Sequence, residues 1–174
     1  MTSQADYTPE EWWLLRETPL RVGAAVMVAA PSGTTGTLHE MVANAHSFVN
    51  AAQLFANNEL IVALVTPDDA VQTYRPGLEE TNDADRHARE ERIMTDAIAK
   101  CKQVADLLDR KSNPDQAHEY KQWVMAIGGD VASAAEEGGV LGIGKKKVSE
   151  PEIKMLTDVA EALRYTEYAP PAEG

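Results

Sequence analysis

The chain has 174 residues, enough for one domain whose hydrophobic core needs no disulfide or metal to stabilise it. Its 28 acidic and 16 basic residues give a formal net charge of −12, which repels phosphate backbones and argues against a nucleic acid partner. One cysteine cannot form an internal disulfide and fits a reducing compartment, and the N-terminus lacks the pattern of a signal peptide. We therefore expect a cytoplasmic protein without a membrane partner.

The first predicted helix begins at a pattern typical of helix N-termini. Residues 1–7 are expected to be flexible, and Thr8-Pro9-Glu10-Glu11 then has the form of a capping box with proline in the first turn. This helix is expected to end near Pro19. Trp12 and Trp13 cannot both face inward on one helix, so we expect one in the core. The other is predicted to lie on an interaction surface.

The run at residues 22–30 contains no polar residue and is the candidate centre of the fold. It is far shorter than the roughly 20 residues of a membrane span. Its four alanines favour a helix over a strand, and Pro19 and Pro31 suit a start and a stop. A helix that is apolar on every side must be covered on every side. The run therefore predicts a short buried helix surrounded by larger ones.

The middle of the chain contains three further helical patterns. Apolar residues three and four apart predict an amphipathic helix over 38–55, and another stripe of this kind predicts a long helix over 83–110. The short apolar run 59–65 fits a strand or a buried helix, and the absence of comparable strand partners favours the helix. Between the segments 59–65 and 83–110, we expect a helix start at 66–69 and a polar connection at 74–82.

Two more helices are predicted in the C-terminal third. Asn113 followed by proline should cap a helix that ends at Gly138-Gly139, and Ser149-Glu150-Pro151-Glu152 should cap the last one. Residues 140–147 are predicted to form a loop and 169–174 a flexible tail. The chain is thus predicted to be all-α, with a single domain over 8–168 made of six to seven helices around the buried helix at 22–30.

A pair of glycines, Gly128-Gly129, interrupts the apolar stripe of the helix after Asn113. Each glycine costs about 1 kcal/mol relative to alanine inside a helix, so the pair requires an explanation. Either the glycines let another backbone come close, for which Gly23-Ala24-Ala25 is the candidate, or they mark a kink after which Asp130 restarts the helix.

Several motifs resemble those of a group of uncharacterised bacterial proteins. The C-terminal pattern is Glu-Gly-Gly-Val-Leu-Gly-Ile-Gly at 137–144, followed by Val-Ser-Glu at 148–150. The N-terminal likeness consists of Thr-Pro-Glu-Glu-Trp at 8–12, Val-Gly-Ala-Ala-Val at 22–26 and Ala-Pro-Ser-Gly at 30–33. The resemblance implies a helical cytoplasmic protein and carries over no activity, cofactor or site.

Two loops are candidate ligand sites. Glycines allow a backbone to approach a phosphate, and the N-terminus of a following helix attracts anions, which makes the loop at 31–37 a candidate for phosphate or nucleotide binding. Its candidate residues are Ser32, Gly33, Thr34, Thr35 and Gly36. Against this, neither nucleotide-binding glycine motif is present, and a capped turn between helices explains the loop equally well. Lys145, Lys146 and Lys147 could receive an anion or an acidic partner, although such triplets are usually solvated.

Metal and nucleophilic chemistry have little support in the sequence. Helical di-metal sites need Glu-x-x-His motifs, which are absent, and Asp115-x-x-His118 is the nearest approximation. His39 and His46 would lie about 10 Å apart along a helix, too far to bind one ion. Cys101 falls on an apolar stripe, where an inert buried thiol is expected. We predict no catalytic residue, metal or cofactor.

The leading functional prediction is a non-enzymatic interaction or scaffold module that binds an unidentified protein or forms a homodimer. The predicted contact surfaces are the helix with Trp12 and Trp13 and the loop 138–148. The alternatives are small-ligand binding or an enzymatic role at residues 31–37, and, third, a helical-bundle metal-binding protein.

Overall fold

The computed structural model describes residues 4–30, 47–66, 83–137 and 148–170. Every regular element in these ranges is helical, which confirms the all-α prediction. A 3-10 turn, Gln4–Asp6, precedes six helices: α1 Pro9–Ala29, α2 at residues 47–53, α3 Glu59–Val65, α4 Asp83–Lys111, α5 Pro114–Glu137 and α6 Glu150–Ala162. Helix α1 lies at the centre and packs against α3, α4, α5 and α6.

The helix starts predicted at Thr8, Asn113 and Ser149 are confirmed, and each is stabilised by hydrogen bonds between residues three positions apart. The Glu11 backbone N–H donates to the Thr8 hydroxyl oxygen at 3.2 Å, and the Thr8 N–H donates to the Glu11 carboxylate at 2.8 Å. The Gln116 N–H donates to the side-chain oxygen of Asn113 at 2.9 Å. At the start of α6, the Ser149 N–H donates to the Glu152 carboxylate at 2.9 Å.

The predicted end of the first helix at Pro19 is wrong, because α1 continues through this proline to Ala29. Proline has no N–H to donate to the carbonyl four residues earlier, and that carbonyl belongs to Leu15. The hydroxyl of Tyr120 in α5 donates to the Leu15 carbonyl instead, at 2.6 Å, and both residues are fully buried. Burial also raises the pKa of the Tyr120 hydroxyl, so this donor keeps its proton. A side chain from another helix thus replaces the missing backbone hydrogen bond.

The run 22–30 is helical, as predicted, but it is the second half of α1 and is not covered on every side. Val22, Ala24, Ala25 and Val26 are buried among α4, α5 and α6. Residues 27–30, by contrast, are only half-buried. Apolar surface at the end of the central helix therefore stays open to solvent.

The first glycine of the pair allows three helices to approach closely. An ideal Cβ at Gly128 would lie 2.7 Å from Cδ2 of Leu156 in α6 and 3.4 Å from Cγ1 of Val22 in α1. A Cβ at Gly129 would meet nothing within 4 Å. Helix α5 continues through both glycines without a break, so Asp130 does not restart a helix. The nearest atoms to Gly128 are therefore not the predicted Gly23-Ala24-Ala25 backbone but side chains, of Leu156 in α6 and then Val22 in α1.

The short run 59–65 is helix α3 and not a strand, and its start is held by a buried asparagine. The side-chain oxygen of Asn58 accepts from the Leu60 and Ile61 N–H groups at 3.1 and 3.2 Å. The Asn58 amide donates to the Glu119 carboxylate of α5 at 2.8 Å. One side chain thus caps α3 and fixes it against α5. The predicted helix start at 66–69 beyond Thr66, the connection 74–82 and the loop 140–147 lie outside the described residues.

A cluster of aromatic side chains forms part of the core between α2 and α5. Trp123 of α5 is fully buried, packs against Phe48 with ring centroids 5.0 Å apart, and donates its indole N–H to the Phe48 carbonyl at 3.2 Å. Trp12 is buried beside Tyr7, whereas Trp13 is 40% exposed, as expected for adjacent residues on one helix. In the described ranges, no helix is both long and apolar enough to cross a membrane.

Candidate docking groove

The ligand sites predicted from the sequence are not placed by the structure. Ser32, Gly33, Thr34, Thr35 and Gly36 lie outside the described residues, as do Lys145, Lys146 and Lys147. Of the predicted contact surface, Trp12 belongs to the core and only Trp13 reaches solvent.

A groove that the sequence analysis missed runs along the outer face of α4 and α6. Its volume is about 600 Å³, and one end is closed by Val28 and Ala29 from the half-buried end of α1. Most of its lining surface is apolar, and besides the end of α1 the apolar side chains are Met94, Ile98 and Ala99 from α4 and Pro151 and Met155 from α6. Helix α6 therefore leaves part of α4 and the end of α1 uncovered.

A second hollow of about 490 Å³ continues the groove toward the C-terminal end of α6. The two hollows share Ile98, Lys102 and Asp158. The second hollow is more polar, with Glu161 and Arg164 on its α6 side. Together the two hollows make one continuous groove whose first part is mostly apolar in surface and whose second part is more polar.

Half of the charged side chains that line this groove are already paired. Lys154 and Asp158, one turn apart on α6, form an ion pair at 2.5 Å. Arg164 just after α6 binds Asp106 and Asp109 of α4, and these hydrogen bonds raise the pKa of its guanidinium. The remaining charged lining residues, Glu91, Lys102 and Glu161, have no ion-pair partner among the residues described.

A nearly buried ion-pair cluster fixes α4 against α1 and thereby sets the position of the groove. Glu17 of α1 is 5% exposed and accepts from Arg21 one turn later and from Lys100 of α4, the latter at 2.9 Å. Arg21 also pairs with Asp96 of α4. Because two cations compensate the buried carboxylate, the cluster joins the helices without leaving a buried charge unpaired.

The residues that the structure describes bear on two kinds of reactive site, a metal centre and an activated thiol. No group of three or more His, Cys, Asp or Glu side chains in these ranges could hold a metal ion. Cys101 is fully buried, and burial raises the pKa of its thiol to about 12. The predicted burial of this thiol is therefore confirmed.

We expect Cys101 to resist thiol reagents in the folded protein. Because the thiol is buried and keeps its proton well above pH 9, a disulfide reagent such as dithionitrobenzoate should label it only after unfolding. Absorbance should show essentially no labelling in buffer and one thiol per chain in urea. Rapid labelling of the native protein, at the rate of a free thiol, would contradict its burial.

The groove was not recognised from the sequence, although one signal pointed to it. The apolar stripe of α4 is wider than one core contact requires: Ala97, Cys101 and Val104 are buried, while Met94 and Ile98 on its flank are half-buried. A stripe of this width indicates a second contact face.

The chain was compared with protein-family models, curated proteins and solved structures, and none of them matches. The functional assignment therefore depends on the geometry of the groove.

Proposed function

We propose that the protein is a non-catalytic interaction module whose α4–α6 groove binds an amphipathic helix of a protein partner. The observation that supports this proposal is the mostly apolar lining of the groove, contributed by three helices and left open by the residues that the structure describes. Apolar grooves rimmed by polar side chains are typical of binding surfaces, and helices commonly dock into them by their apolar face.

The length of the groove favours a helix over a small molecule. Its α4 side extends from Glu91 to Lys102, eleven residues or about 16 Å, which equals about three helical turns. Two helices form its sides, and a third can pack its side chains between theirs, as in a helix bundle. Met94 and Met155 supply flexible side chains that adapt to the shape of an incoming apolar face.

The end of α1 provides a driving force for docking. Val28 and Ala29 belong to an entirely apolar run, yet they are half-buried and line the groove. A docked helix would remove this surface and the flank of α4 from water, at about 25 cal/mol per Å² of apolar area. A docked helix would also bury the apolar end of α1, which an all-apolar segment needs to have shielded from water.

A matched pair of isoleucine variants tests the proposal. Ile98 lines both hollows and Ile93 lines neither, and both are half-buried on α4 and packed against the core. Ile98→Gln and Ile93→Gln should therefore lower stability by similar amounts. Only Ile98→Gln should weaken the binding of a fluorescein-labelled amphipathic peptide of Leu, Ala and Gln, by about tenfold or more. Fluorescence anisotropy measures this affinity, and urea unfolding measures stability.

Two outcomes would overturn the proposal. Equal affinity of both variants for the peptide would place its binding elsewhere on the surface. Light scattering that showed a wild-type dimer, separated into monomers by Ile98→Gln but not by Ile93→Gln, would show that the groove binds a second copy of the chain.

A further inference from the structure

Building on the proposed function, we infer that the groove selects a helix by charge. The preferred partner carries a basic and an acidic side chain about three turns apart beside its apolar face. The basic group lies opposite Glu91 and the acidic group opposite Lys102.

Glu91 and Lys102 are suited to this role by their positions. Eleven residues are about three full turns of helix, so both side chains project from the same face of α4, and both line the groove. They are the first and last lining residues on the α4 side and carry opposite charges, with Lys102 at the point where the two hollows meet. An occupying helix therefore meets a carboxylate at one end and an ammonium group at the other.

These two charges are available to a partner. Neither Glu91 nor Lys102 forms an ion pair within the described part of the chain, whereas Lys154 is paired with Asp158 at 2.5 Å and Arg164 with Asp109 at 2.5 Å. A paired charge is already largely compensated, while an uncompensated one both attracts its opposite and repels its like.

Glu161 modifies the recognition at the lysine end. It lines the second hollow together with Lys102, and it also lacks an ion pair among the described residues. Its carboxylate partly offsets the attraction of Lys102 for an acidic group on the partner. Removing this charge with Glu161→Gln should therefore strengthen the binding of a helix that carries an acidic residue at this end.

Four fluorescein-labelled peptides test the charge pattern. All share one apolar stripe of leucines on an Ala/Gln helix of about four turns. They differ at two positions eleven residues apart, which carry Lys and Glu, Lys and Lys, Glu and Glu, or Gln and Gln. Wild-type protein should bind the Lys/Glu peptide most tightly, with about two- to fivefold weaker binding for each like-charge contact. High salt should reduce these differences.

Charge reversal on the protein gives the sharper comparison. Lys102→Glu leaves two acidic ends and should shift the preference to the Lys/Lys peptide, while Glu91→Lys should shift it to the Glu/Glu peptide. The double variant has opposite charges again and should prefer the Lys/Glu peptide, bound in the reverse direction. Both positions are exposed, so these substitutions should change the free energy of unfolding little, and urea unfolding measures this.

The outcomes separate this inference from the proposed function. If all four peptides bind equally and Ile98→Gln weakens each of them, the groove is a docking site and charge selection is wrong. If Ile98→Gln and Ile93→Gln bind every peptide equally well, the docking site itself is wrong. Preference for the Lys/Lys peptide by wild type and all variants alike would show that the net charge of the chain, and not Glu91 and Lys102, governs binding.

Discussion

Tyr120→Phe is expected to lower the free energy of unfolding by about 1–3 kcal/mol, although it removes only one oxygen atom. The Tyr120 hydroxyl donates to the Leu15 carbonyl at 2.6 Å, and Pro19 cannot supply the backbone N–H that would otherwise fill this role. Because both residues are fully buried, water cannot replace the lost donor. The variant therefore leaves a buried carbonyl unsatisfied. Urea unfolding followed by circular dichroism measures the loss.

A double-mutant cycle with Pro19→Ala tests this explanation. Alanine restores an N–H at position 19, which can donate to the Leu15 carbonyl within the helix. In the Pro19→Ala protein, Tyr120→Phe should lower the free energy of unfolding by much less than it does in the wild type. The effects of the two substitutions should therefore not be additive. We predict this non-additivity and not the effect of Pro19→Ala by itself, because replacing proline also changes the conformational freedom of the unfolded state. Equal costs in both backgrounds would mean that the hydroxyl does not substitute for the missing N–H.

The adjacent glycines are expected to respond to alanine in opposite directions. Gly128→Ala places a methyl group 2.7 Å from Cδ2 of Leu156, and because that side chain is only 4% exposed it has little room to turn away. The clash should therefore cost about 1–3 kcal/mol, more than the gain in helix propensity. Gly129→Ala meets nothing within 4 Å and should stabilise α5 by about 0.5–1 kcal/mol. Thermal and urea unfolding of the two variants give the comparison directly, because each is the control for the other.

The contact responsible can be identified by shortening Leu156. If its side chain causes the clash, Leu156→Ala should cost less in the Gly128→Ala protein than in the wild type, since the new methyl group occupies part of the vacated space. Gly128→Ala as stable as Gly129→Ala would contradict the close packing of α1, α5 and α6 at this point.

Features that depend on neighbouring residues were predictable from the sequence. The capping patterns at Thr8, Asn113 and Ser149 each lie within four residues, and all three start helices as predicted. The apolar spacing over 83–110 likewise predicted α4 to within one residue. The alanine content of 22–30 and the lack of strand partners for 59–65 indicated helices, which both segments form.

The interruption predicted at Pro19 shows where local reasoning fails. Proline ends a helix when the freed carbonyl finds no donor, and the donor here is Tyr120, 105 residues away in the chain. No pattern near Pro19 contains that information. The same holds for Gly128, whose neighbours Val22 and Leu156 come from two other helices.

The groove is likewise a property of the packed helices. The sequence showed that α4 carries a wide apolar stripe, but not that α6 would leave Met94, Ile98 and the end of α1 partly uncovered. Composition, caps and periodicity thus determined that this chain is helical and where most of its described helices start, because these depend on short-range hydrogen bonds and side-chain spacing. The tertiary structure decided that α1 passes through its proline and that one apolar face stays open, because both depend on which distant side chains reach a given point.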